Sequence, residues 1–387
     1  MDVSSEMVIN LVPLFLANVL GVRTVVIGLI DGVADATANL VQLASGWLSD
    51  RLRARKSIAV TGYALATLSR PFLYVADTWV AVLAIRFVDR LGKGVRTAPR
   101  DALVADSIAA GQRGLAFGFH RAADTGGAVV GLVVALAVVA AGEAGAVALH
   151  RSTFQAVVLV SLVPAALSVL ALAALARDVP ARTEGRPVQI GVRGLGTPFH
   201  RFLAIVALFT LGNSSDAFLL LRAQERGMAI TGILGMLILF NLVYALASTP
   251  AGRLSDRIGR RPLVVAGWLL YALVYLGFAL VTAAWQVWLL MALYGLYYAA
   301  TYGTLKAMVA DIVPAALRGT AYGAFNGLVA VLALPASVVA GLLWQGLGPW
   351  HGFGPAAPFI LGGLLALGAA ALLAAWTPST EVSGVDG

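Results

Sequence analysis

Sixteen residues, RFVDRLGKGVRTAPRD from Arg86 to Asp101, hold five cations and two acids directly after the apolar run TWVAVLAI. At 100° per residue, Arg86, Asp89, Arg90, Lys93 and Arg96 share a helix face of about 120°. Asp31, Asp35, Asn39 and Gln42 share another of about 80°. His120, Asp124, Gly127 and Gly131 line a third, with Arg121 beside it. The acids Glu6, Asp31, Asp35, Asp89 and Asp124 thus stand against the bases Arg70, Arg86, Arg90, Lys93 and Arg121 within apolar sequence. Balanced acids and bases in a low dielectric suit proton exchange. A buried carboxyl can titrate near neutral pH, and an approaching arginine restores its charge. A change of partners between two conformations would couple protonation to movement. Glu6, Asp35 and Asp124 are the expected proton carriers, with Arg86, Arg90 and Arg121 as partners. The competing reading is a fixed ladder of structural ion pairs.

The second half of the chain carries few charges. It has Asn213, Ser215, Asp216, Asn241, Tyr294, Tyr298 and Asn326 instead. Aromatic residues with a few polar groups suit a small-molecule pocket, and they are also ordinary packing residues. Asp216 hints at a cationic group on the bound compound. Other chemistry finds no foothold. The chain has no cysteine, and its four histidines are scattered without an H-E-x-x-H pair; no G-x-S-x-G occurs. Neither an enzyme, a metal site nor a cofactor is expected.

The elements that must position these residues are membrane helices. The chain is 60% hydrophobic and 12% charged, against roughly 25% charged in soluble domains. Apolar windows long enough to cross a bilayer recur throughout. Twelve spans are expected, near 1–22, 24–49, 57–75, 79–98, 114–141, 153–176, 199–222, 229–251, 263–282, 285–309, 319–345 and 357–376. Pro99 is expected to end the fourth. Most of the 27 Lys and Arg fall in loops on one side, which the positive-inside rule makes cytoplasmic, with both termini. That rule also accounts for the net charge of +8 without nucleic acid.

The chain repeats itself. GWLSDRLRARK (46–56) returns as GRLSDRIGRRP (252–262), and ADSIAAGQRGLAFG (105–118) returns as ADIVPAALRGTAYG (310–323). An offset of 205–206 residues over two segments indicates duplicated halves. The expected organisation is a six-helix bundle at 1–176, a cytoplasmic linker at 177–198, a second bundle at 199–376 and a tail at 377–387. Asn241 stands at the repeat position of Asp35. SSE (4–6) resembles SSD (214–216), so Glu6 is expected to lie as deep as Asp216. Few residues precede Glu6, so the natural first helix is expected to begin upstream of Met1.

The repeated segment resembles the loop signature of the major facilitator superfamily, G-x-L-A-D-R-x-G-R-[KR]. Gly46, Asp50, Arg51 and Arg55 match in the first copy, where Arg53 and Ala54 depart from it. Gly252, Asp256 and Arg257 match in the second. The resemblance implies an all-α membrane fold of two pseudo-symmetric six-helix bundles around a midplane site. It also implies a cytoplasmic gate, with Asp50 latching toward span 11 and Asp256 toward span 5; Asp101 would meet Arg51 or Arg55. Span 5, GFHRAADTGGAVVGL, is similar to the antiporter signature G-x8-G-x3-G-P, with Gly118, Gly127 and Gly131 in register and Leu132 in place of proline.

The expected protein is therefore a secondary transporter of the bacterial-type inner membrane, exporting a small organic compound against protons. It is expected to act as a monomer among membrane lipids. The alternatives are a proton-coupled importer of a small metabolite, a translocator of lipids or other amphiphiles, and a membrane receptor or scaffold.

Overall fold

A computed structural model describes residues 1–52, 54–107, 113–177, 195–314 and 317–376. The expected linker falls mostly, and the expected tail wholly, outside them. Fifteen helices are described: α1 (Asp2–Ile9), α2 (Val12–Asn18), α3 (Thr24–Leu52), α4 (Arg55–Ser69), α5 (Phe72–Val75), α6 (Trp79–Asp106), α7 (Arg113–Glu143), α8 (Arg151–Leu175), α9 (Gly196–Gly212), α10 (Ala217–Glu225), α11 (Ile230–Ile258), α12 (Arg260–Leu280), α13 (Ala284–Ile312), α14 (Arg318–Gln345) and α15 (Ala357–Ala375). They make twelve spans, because α1/α2, α4/α5 and α9/α10 are broken spans.

Each break has a local cause. Pro13 opens α2 and Pro71 precedes α5; proline supplies no N–H and clashes with the carbonyl four residues back. The α9/α10 break has no proline. It is the polar run Asn213-Ser214-Ser215-Asp216, where the Ser215 hydroxyl accepts the Ala217 N–H at 3.1 Å and so competes with the helical pattern. The expected stop at Pro99 is corrected: α6 runs through it to Asp106. One missing backbone bond does not end a helix packed along its length against α3 and α4. Gly92 and Gly94 bring these helices close. A Cβ on Gly92 would meet the Gly62 carbonyl at 2.6 Å, and one on Gly94 the Ala38 carbonyl at 2.7 Å.

Eight of the spans are long and apolar enough to cross a membrane by composition alone. The other four are the broken α1/α2 and α4/α5, the charged α6 and the tyrosine-rich α13. Their polar content is tolerable only where protein or a water-filled cavity covers it.

The first eight helices form one half and the last seven the other. Two helix pairs join the halves closely, α3 with α14 and α7 with α11. The α3–α14 contact lies at one end of the bundle. There Cβ atoms on Gly28 and Gly341 would stand 2.3 Å from the Ser337 carbonyl and 2.4 Å from the Val25 Cα, so backbone touches backbone.

Candidate substrate cavity and ion-pair network

A cavity of about 320 Å3 lies between the halves, where α1/α2 and α9/α10 are broken. Asp2, Ser5, Glu6, Asn10, Asp31, Asp35, Arg86, Asp89, Arg90, Lys93 and Arg96 line it from the first half. Ser215, Asp216, Ala217, Leu220, Leu237, Phe240 and Asn241 line it from the second. Asn10 and Asp216 are 206 residues apart and both sit at breaks. Asp35 and Asn241, also 206 apart, both reach the cavity.

The first-half wall is a network of charges. Arg86 Nη2 donates to Asp31 Oδ1 at 3.0 Å. The other Asp31 oxygen accepts the Ser215 hydroxyl at 2.8 Å, so this carboxylate links the two halves. Arg70, buried at the α4/α5 break, pairs with Asp89 at 3.5 Å and donates to Ser4 and, at 2.7 Å, to Ser5. The Ser4 hydroxyl in turn donates to the Ser161 carbonyl at 2.6 Å. Glu6 accepts Asn10 Nδ2 at 2.9 Å. Arg90 is 7% exposed and its Nε lacks a partner. Arg96 is also buried, its guanidinium 4.6 Å over the Tyr63 ring. Isolated charge in the membrane costs several kcal/mol, which explains why nearly every such group here pairs or borders the cavity.

The second-half wall is built differently. Tyr294 donates to Asp216 Oδ1 at 2.7 Å. The Tyr271 hydroxyl donates to the Gly212 carbonyl at 3.0 Å, satisfying an acceptor orphaned where α9 stops. Behind them Tyr271 stacks on Tyr275 at 4.1 Å and Phe209 on Trp268 at 4.6 Å. Asn241 donates to the Leu237 carbonyl at 2.9 Å.

One end of the cavity is shut. Asn18 and Gln224 exchange side-chain amide bonds at 3.1 and 2.6 Å. Gln224 also donates to the Val147 carbonyl, and Ile230 N–H to that of Ala146. Thr24 N–H donates to Gln345 Oε1 at 2.9 Å and Arg23 to the Gln345 carbonyl at 3.0 Å. The repeated loop motifs lie at the opposite end. Gly252, Asp256 and Arg257 are exposed there, and a Cβ on Gly252 would meet nothing within 4 Å. Gly46, by contrast, packs within its own half, a Cβ there standing 3.3 Å from Ala98. Three motif arginines have bonds inside their own half: Arg55 to the Ala102 carbonyl, Arg260 to Asp311 at 2.9 Å and Arg261 to Leu373 and Ala374. Asp101 accepts Arg100 at 2.9 Å. Arg51 is exposed.

Among the expected site residues, Glu6, Asp31, Asp35, Arg86, Asp89, Arg90, Lys93, Ser215, Asp216 and Asn241 meet at the cavity. Asp124 lies against His120 at 3.4 Å and beside Asp2. Asn213 accepts Tyr271 at 3.2 Å, Tyr294 supports Asp216 from behind, and Tyr298 packs edge-on to Phe240 at 5.2 Å. Asn326 is on an exposed part of α14. The side chains of Asp50 and Arg121, and Gly118, lie outside what is described. Gly127 and Gly131 take α1 against α7, a Cβ on Gly131 reaching the Val3 carbonyl at 2.3 Å. Sequence reasoning missed Asn10, Asn18 and Gln224. The 206-residue offset was the signal that could have found the last two.

The sequence profile of the Major Facilitator Superfamily matches residues 1–222 and again 201–386. An uncharacterized MFS-type transporter of Methanocaldococcus jannaschii is 34% identical over 95% of this chain and 89% of its own length. Among solved structures, a bacterial homologue of the human lysosomal transporter Spinster, inward-facing and occupied, superposes with a TM-score of 0.78. It is 15% identical, and the match covers 98% of this chain and 96% of that one. The nucleoside transporter NupG gives 0.75 at 14% identity, covering 96% of this chain and 95% of that one. At these identities the structural likeness concerns the fold.

Proposed function

This chain belongs to the Major Facilitator Superfamily, an integral membrane transporter of small molecules rather than an enzyme, and from that premise we propose that it exports a small organic compound in exchange for protons. The observation that carries this reading is the cavity between duplicated halves, shut at one end by Asn18, Gln224, Thr24 and Gln345. Alternating access requires a central site with one end closed. The positive-inside rule assigns the opposite end, with its Arg-rich loops, to the cytoplasm, and the membrane is read as a bacterial-type inner membrane. Glu6 and Asp35, which line the cavity, are the proton-coupling carboxyls, with Arg86 as a nearby counter-charge. Export rather than import rests on the glycine pattern of α7, which sets α1 against it.

The mainly polar lining speaks against an amphiphile translocator. In proteoliposomes carrying a pH gradient, an exporter moves protons opposite to its substrate. Co-directional movement would make it an importer, and no substrate-dependent proton flux would leave the receptor or scaffold reading.

A further inference from the structure

We propose that the cavity is built for a zwitterion, whose anionic group binds between Arg90 and Lys93 and whose ammonium group binds Asp216. The inference rests on the cavity being the transport site. Of the α6 cations, Arg86 is engaged by Asp31 at 3.0 Å. Arg90 makes no ion pair among the described residues, is 7% exposed and leaves Nε without a partner. Lys93 lies three residues on, makes no ion pair there either and opens to the cavity. Residues at this spacing are neighbours on a helix, about 5–6 Å apart at Cβ. One carboxylate or comparable anion can bridge them, and Arg offers it a planar fork of donors.

The opposing wall has the complementary need. Asp216 is held by the neutral Tyr294 hydroxyl at 2.7 Å, and no described cation pairs with it. Around it the second half presents Leu220, Leu237, Phe240 and Asn241. An ammonium beside an apolar group would meet both the carboxylate and the Phe240 side chain. An anion alone would leave Asp216 without a cation partner, and a cation alone would leave Arg90 without an ion pair. A molecule bearing both charges completes both walls and bridges the two halves. Glu6 and Asp35 remain for protons.

Three forms of one skeleton test this on the purified, detergent-solubilised full chain by calorimetry: phenylalanine (zwitterion), its methyl ester (cation) and N-acetylphenylalanine (anion). Phenylalanine is expected to bind at least tenfold more tightly than either analogue. Arg90→Gln and Lys93→Gln should abolish its advantage over the ester, while Arg90→Lys and Lys93→Arg retain it. Asp216→Asn should abolish its advantage over the N-acetyl form. Equal affinity for the three forms, no binding by any, or preferences that survive neutralisation would overturn the inference. Flux of labelled phenylalanine into proteoliposomes separates the two readings. Charge-selective binding without flux overturns the transport reading alone, and flux without charge preference overturns only this one.

Discussion

Asn18 and Gln224 exchange amide hydrogen bonds across the two halves of the molecule, and they are 206 residues apart. That separation is the repeat offset of the loop motifs. The contact therefore joins equivalent positions, and it lies on the pseudo-symmetry axis at the closed end. Removing it should shift the closed–open balance without disturbing either bundle. A net hydrogen bond contributes about 0.5–1.5 kcal/mol, so Asn18→Ala or Gln224→Ala should raise the open population about tenfold. The chain has no cysteine. Ser337→Cys, at a position 3% exposed where α14 meets α3, therefore reports the opening by its thiol-labelling rate.

Glycine sets the tightness of the same closure. A Cβ at Gly28 would lie 2.3 Å from the Ser337 carbonyl, a backbone atom that cannot rotate away. Gly28→Leu should exclude the conformation seen here and hold the molecule open at this end. Thr24→Cys, buried in the parent, should then label at the rate of an exposed thiol. Unchanged protection in Gly28→Leu would count against the α3–α14 contact as the seal.

Asp31 and Arg86 should prove interdependent. Breaking a buried pair by removing one partner costs about 3–5 kcal/mol, because a charge is left uncompensated. Asp31→Asn and Arg86→Gln should each lower resistance to unfolding in detergent by that order, and the double variant should recover most of the loss. Additive losses would mean that the two residues act independently.

Asp35 opens into the cavity that Arg90 and Lys93 also line. Asp35→Asn should abolish proton-driven accumulation while leaving substrate exchange across liposomes intact. A variant that still concentrates substrate against its gradient would remove Asp35 from the coupling role.

Much of the fold was legible because a bilayer makes simple demands. Apolar length marks spans, and the duplicated GWLSDRLRARK and GRLSDRIGRRP segments mark the halves. The charged face of α6 was legible for the same reason: Arg86, Asp89, Arg90 and Lys93 recur at helical spacing and must avoid lipid. The breaks were harder. Pro13 and Pro71 stop helices while Pro99, Pro164, Pro250 and Pro335 lie within them. The difference is set by tertiary packing, which no local pattern records. The partners of Asp31 were only half visible. Arg86 follows from helix faces, but Ser215 reaches it from the other bundle, 184 residues away. The Asn18–Gln224 seal escaped notice because neither residue is charged and neither belongs to a motif.

The break in the first span also has a mechanical meaning. The seven residues of α2 extend about 10 Å at 1.5 Å per residue, with the kink at one end and Asn18 at the other. A tilt of roughly 10° about the kink swings Asn18 by about 2 Å, beyond hydrogen-bond reach. The half-helix is a short lever whose fulcrum borders the cavity, so a small tilt at Asn10 arrives, magnified, at the shut end.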